Sequence, residues 1–241
     1  MPVQGRAATL DGANRAGPGQ RASRRPVRSH PMPKGRLEAF SDGVIAVAIT
    51  VLALELPVPK PGAGRSLAHE LLSRWPNFAA FAVSFLTIGI IWINHRAMLE
   101  RVAVVDHRTL LLNLMLLLTV CLLPFSTALM ADYLKASDGQ RIAAGIYAGS
   151  FLLMSVVFFA MQVHVLRLRP HLLHQTVTAE IRDRVLRRNA AGLLPYVAAT
   201  VLAAVSPYAT LALTAAVAAF YAAPSATADV AGAQPAGENY S

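Results

Sequence analysis

From Leu37 to Leu56 the chain runs for twenty mostly apolar residues. Wound as an α-helix, such a stretch rises about 30 Å, roughly the hydrocarbon thickness of a bilayer. It opens on the triplet Phe40-Ser41-Asp42. A carboxylate inside a membrane helix is costly unless it faces protein or water, so Asp42 is a candidate functional residue. A second reading stays open, because Asp and Ser are favoured N-caps and can simply mark where a helix starts.

Helical periodicity puts Gly43, Val47, Thr50 and Leu54 on one face of this stretch. That face carries a glycine and the one mid-helix hydroxyl, whereas the other faces are Ile, Val, Leu and Ala. A buried threonine often bonds back to its own helix. The same face also suits a surface that meets symmetry mates and a file of water or ions.

Composition places the rest of the chain in the same class. It has 241 residues, 55% of them hydrophobic and 15% charged, with a mean hydropathy of +0.46. An ordinary soluble protein carries about 25% charged residues. The pattern predicts an all-α integral membrane protein with six transmembrane spans in a single repeat. They fall at about 37–56, 76–98, 109–130, 141–166, 188–205 and 207–223, with a short helix at 67–72. Pro57 and Pro59 end the first span, and Pro76 suits the first turn of the second. Asn113 sits in an apolar stretch of the third span and calls for an interhelical partner. In the fourth span Gly145 and Gly149 have small-xxx-small spacing. Pro195 is placed to kink the fifth span.

Residues 1–35 and 224–241 are expected to be disordered tails around a membrane domain at 36–223. The first tail is basic and lacks the apolar core of a signal peptide. Cys121, the one cysteine, cannot form an intrachain disulfide. His164, His171 and His174 lie close together without a Cys or carboxylate to complete a tetrahedral set, so no metal is expected there. No cofactor is expected either.

The formal net charge of +9 follows the loops rather than one compact face, which argues for membrane orientation and against nucleic acid. Of 22 Lys and Arg residues, 17 fall in the N-terminal segment through Arg36, the 95–108 link and the 167–189 connector. The other five fall in 57–74 and 131–141. The basic side is predicted to be cytoplasmic, so both termini are inside a multi-pass protein of the cell membrane. There is no Gly-rich phosphate loop, zinc-binding histidine pair or nucleophile elbow, and the chain is not expected to be an enzyme. It also lacks the arginine ladder of a voltage sensor and the Thr-Val-Gly-Tyr-Gly potassium filter.

Three motifs resemble one family. Arg36-x-x-x-Phe40-Ser41-Asp42 with the following Gly-Val-Ile-Ala-Val-Ala-Ile-Thr is similar to the opening helix of the transmembrane-protein-175 family, which includes the lysosomal potassium channel of animals and smaller prokaryotic relatives. Trp92-Ile-Asn-His95-Arg96 resembles the end of its second helix. Leu111-Leu-Asn113-Leu, continuing to Leu123-Pro124-Phe125-Ser126, resembles its third. These motifs occur in order over roughly residues 36–130.

The resemblance implies a homotetramer in the bilayer, with potassium as the permeant ion and a pore lined by the first helix of each subunit. Val47 falls at the family's apolar constriction, Thr50 one turn further out and Leu54 at a wider outer ring. The family commonly has Ile or Leu where this chain has Val47, which predicts a looser seal. Trp92, Asn94 and His95 are implied to support the Phe40-Ser41-Asp42 segment by hydrogen bonds, in a polar network with Arg36 and Asn113. The unperturbed pKa of histidine would also permit His95 to act as a sensor. Glu55 reads either as an attractor of cations or as an ordinary interfacial carboxylate. Two other classes stay open. A proton-coupled transporter would use Asp42 and His95 as a relay, although the internal repeat usual in transporters is absent. A non-conducting scaffold would tolerate any apolar residue at 47 and 50.

Overall fold

The computed structural model describes residues 34–60 and 66–223. The expected tails at 1–33 and 224–241 lie outside the described residues, as does the middle of the 57–74 loop. Among the described residues there are seven α-helices: α1 (Lys34–Leu54), α2 (Leu67–Ser73), α3 (Trp75–Glu100), α4 (His107–Tyr133), α5 (Gln140–Val163), α6 (Ala179–Leu202) and α7 (Pro207–Ala222). Five of their starts carry local signals. Ser66, Asp106, Thr178 and Ser206 accept a backbone N–H as N-caps of α2, α4, α6 and α7. Pro76 and Pro207 occupy the first turns of α3 and α7, where a missing N–H costs nothing.

Among the described residues, four helices are long and apolar enough to cross a bilayer: Lys34–Leu54, Trp75–Glu100, His107–Tyr133 and Gln140–Leu168, the last extending α5 through a π-helical segment. Pro207–Ala222 is apolar but shorter. Helix α6 differs most from expectation. The sequence suggested a basic connector up to Asn189, yet the helix begins at Ala179. Thr178 caps it, Glu180 complements the positive helix end, and Glu180 pairs with Arg184 one turn later at 3.2 Å. Charged residues therefore start this helix, and its apolar second half packs with α7 and α5.

Helix α4 is the centre of the bundle, touching α1, α3 and α5. Its polar side chains are satisfied inside. Thr127 meets Ser84 of α3 at 2.7 Å and also bonds the Leu123 carbonyl at 2.6 Å. Ser84 reaches the fully buried Tyr147 of α5 at 3.4 Å. Among the described residues, no atom lies within 4 Å of where a Cβ on Gly145 or Gly149 would sit, so their small-residue face does not close a helix pair within this chain.

The link after α3 is stitched to the segment after α5. Ala103 donates to the Leu172 carbonyl at 2.7 Å, and His174 to the Arg101 carbonyl at 3.0 Å. Beside this bridge the Asp106 carboxylate accepts from the Thr109 amide and hydroxyl, at 2.8 and 2.6 Å, and contacts His164 Nε2 at 3.0 Å. Burial opposes ionisation of Asp106. The Thr109 bonds and His164 outweigh it, and hold the carboxyl below its ordinary value of 3.8.

Two predictions follow from these contacts. The stability that Asp106 contributes through ionisation is complete above that ordinary value and is lost as pH falls through the lower folded one. The difference in thermal midpoint between wild type and Asp106→Asn is therefore expected to shrink as pH falls below about 4. A difference that grows on acidification would contradict this. Gly139, at the start of α5, has φ +76°, and a Cβ there would lie 2.8 Å from the Tyr133 ring. Gly139→Ala is expected to destabilise the fold by about 1–2 kcal/mol in denaturant titration of the purified protein.

Candidate functional site: the clamped first helix

Helix α1 begins at Lys34, so Ser41 and Asp42 are inside it and are not its N-caps. The helical repeat divides α1 into two faces. Leu37, Ser41, Ile45, Ala48 and Leu52 are buried against α3 and α4. Gly43, Val47, Thr50 and Leu54 point away from the rest of the bundle, with Val47 61% and Leu54 81% exposed. Phe40 is exposed at the start of the same face. The Thr50 hydroxyl donates to the Val47 carbonyl at 2.8 Å. Its proton is thereby used inside the helix, which leaves the oxygen lone pairs to face outward.

The buried face is held by polar contacts at one end of the bundle. Ser41 Oγ donates to the Leu37 carbonyl at 2.9 Å and accepts from Asn113 Nδ2 of α4 at 3.0 Å. Asn113 Oδ1 meets His95 Nε2 of α3 at 2.7 Å. The amide nitrogen already donates to Ser41, so Oδ1 is the acceptor and His95 carries its hydrogen on Nε2. Ser41 and Asn113 are fully buried, and His95 is 1% exposed. One turn along, Trp92 Nε1 of α3 donates to Asp42 Oδ1 at 2.7 Å. A hydrogen bond to a charged acceptor is worth about 1.5–3 kcal/mol. Arg96 stands 6.0 Å over the Trp92 ring and pairs with Glu100 at 3.6 Å.

Two residues expected in this network lie outside it. Asn94 bonds the Ile90 carbonyl of its own helix at 2.9 Å, because it sits on another face of α3 from Trp92 and His95. Arg36 is exposed, on the outward side of α1. Two acids escaped the sequence reading. Glu38 and Glu100 join Asp42, His95, Lys34 and Arg96 around a cavity of about 270 Å³ at this end. Their i,i+4 spacing to Asp42 and Arg96 is the signal that would have found them.

A family profile described as "Endosomal/lysosomal potassium channel TMEM175" matches residues 36–124, which contain every residue of this network. A potassium channel of Streptomyces collinus is 42% identical over 178 residues, covering 74% of this chain and 86% of its own length. The chain belongs to the TMEM175 family. A potassium channel of Chamaesiphon minutus is 45% identical over 132 residues, covering 54% of this chain and 64% of its own. The crystal structure of a lysosomal potassium-selective channel TMEM175 homolog from Chamaesiphon minutus superposes with a TM-score of 0.69 at 35% identity, covering 78% of this chain and 96% of that one. As a TMEM175 member the chain is a multi-pass membrane protein of a channel family, not an enzyme.

The clamp predicts a graded loss of stability. Trp92→Phe removes the indole donor and leaves the Asp42 carboxylate half-buried without it. Trp92→Phe is expected to cost about 1.5–3 kcal/mol. Adding Asp42→Asn should then cost much less than Asp42→Asn alone in a double-mutant cycle. Additive costs would show that the 2.7 Å contact contributes nothing.

Proposed function

We propose that this TMEM175 member is a potassium-permeable channel of the cell membrane. Four copies surround one pore, each crosses the bilayer six times, and both termini are cytoplasmic. The observation that carries this reading is the outward face of α1. A helix fixed on one side by Ser41 and Asp42 presents Gly43, Val47, Thr50 and Leu54 to whatever lies outside its own subunit. One such helix cannot enclose a path, and closed rotational symmetry is the usual way to repeat it. The relatives named as potassium channels support potassium as the ion. The charge distribution over the loops supports the orientation. For the two additional spans, α7 is apolar but only 16 residues long, and α6 is apolar only in its second half.

In this arrangement four Val47 side chains form the apolar constriction, a ring that excludes water when narrow. Valine is shorter than Ile or Leu, so the seal is looser than a bulkier ring would give. The Thr50 oxygens, one turn away, offer lone pairs that replace part of the ion's hydration. Leu54 forms a wider outer ring. Arg36 and Phe40, also on the outward side, are placed to meet a neighbouring subunit. The transporter reading is weaker, because Asp42 and His95 are engaged by different partners, Trp92 and Asn113. No direct hydrogen bond joins the two among the described residues.

The test is potassium and sodium flux into liposomes containing the purified protein. Val47→Asn is expected to raise potassium flux by roughly tenfold, a change of about 1.4 kcal/mol in the barrier. Val47→Leu should lower it, and Thr50→Ala should reduce the preference for potassium over sodium. Flux that requires a proton gradient, or that ignores both positions, would return the transporter or the scaffold to first place.

A further inference from the structure

At the same end of the bundle, on the face of α3 that carries Asn94, helices α3, α5 and α6 leave a groove. Its walls are apolar along Ile90, Ile93, Phe159 and Leu193. Beside it lies a cavity of about 380 Å³ bordered by Arg101, Arg184 and Arg188. The two spaces adjoin, since Asn94, Arg188 and Asn189 line both. Among the described residues, no Asp or Glu lines either one.

The arginines are incompletely neutralised. Arg184 pairs with Glu180 at 3.2 Å on its exposed side. Arg101 spends one N–H on the Ala97 carbonyl at 3.0 Å. Arg188 has no carboxylate partner among the described residues. Burial first, and then the charge of Arg188, hold the Arg101 guanidinium below its usual pKa, against the opposite pull of Glu100. An anion between Arg101 and Arg188 would relieve that repulsion.

We propose that this groove binds an anionic phospholipid, with its phosphate at Arg101 and Arg188 and an acyl chain along Ile90, Ile93 and Leu193. The chemistry fits at both ends. Guanidinium groups at the end of a transmembrane bundle recognise phosphate, and the adjoining apolar wall has the character of the lipid interior. A free anion would satisfy the arginines but leave the wall uncovered. A zwitterionic lipid brings no net charge. A second copy of this chain, with its formal net charge of +9, is a poor electrostatic match for a cavity walled by arginine. The proposal requires only that this end of α3 and α6 lies at headgroup level, and it does not depend on conduction.

The experiment uses the full chain, purified in neutral detergent. Its thermal midpoint is followed while dioleoyl phosphatidylglycerol, dioleoyl phosphatidylcholine or inorganic phosphate is added. Saturable stabilisation by phosphatidylglycerol alone is expected. Arg101→Gln and Arg188→Gln should each weaken the apparent affinity by about fivefold. Ser155→Phe, which fills the half-buried groove wall without touching a charge, should weaken it as well. Each variant is first required to elute as wild type on size exclusion. Equal stabilisation by phosphatidylcholine, an effect of inorganic phosphate matching that of the lipid, or unchanged affinity in all three variants would overturn the proposal. So would disulfide trapping of Leu193→Cys between two copies in the bilayer, made in a Cys121→Ser background that removes the exposed native thiol, because a second chain would then occupy the groove.

Discussion

Asn113 has no exposed surface and sits on the most central helix of the bundle. A carboxamide in that position must satisfy its donor and acceptor inside the protein, because an unmade hydrogen bond there costs about 1–3 kcal/mol. It does so by giving its hydrogen to Ser41 of α1 and taking one from His95 of α3. Three helices are therefore brought into one register by one side chain. Apolar packing in a bilayer has little such specificity, since a leucine gains no more from another helix than from lipid. The polar contacts decide which face of α1 turns inward.

The outward face follows from that inward one. With Ser41 fixed, the helical repeat turns Val47, Thr50 and Leu54 away from α3 and α4. The Trp92–Asp42 bond repeats the constraint one residue along and resists rotation of α1 about its axis. In the proposed tetramer, permeation through a ring of valines would be sensitive to small changes in radius. A helix held by two crosslinks close to its polar end is suited to setting that radius reproducibly.

The same end of the bundle gathers charges with different assignments. Asp106 and His164 tie the link after α3 to the segment after α5. Glu38, Asp42 and Glu100 border one cavity, while Arg101, Arg184 and Arg188 border another on a different face of α3. The first mixes its acids with Lys34, His95 and Arg96, whereas no acid lines the second among the described residues. One lies beside the proposed pore helix and the other adjoins the groove between α3 and α6.

Much of this was legible in the sequence. Hydropathy over about twenty residues located the apolar helices, and proline positions marked several of their ends, because both signals are local. The face of Gly43, Val47, Thr50 and Leu54 also followed from the helical repeat alone. What the sequence left open depended on neighbours distant in the chain. Ser41 and Asp42 read equally well as caps until the helix was seen to begin at Lys34. Asn94 and His95 are adjacent in sequence, yet only His95 faces Asn113, because successive helical residues point about 100° apart. The charged start of α6 looked like a connector since a cap and charged side chains mark it rather than apolar periodicity. The sequence by itself determined which segments are apolar helices and which faces they carry. Only the tertiary structure decided which partner each buried polar group finds, because that choice depends on side chains meeting across helices, and no local pattern records it.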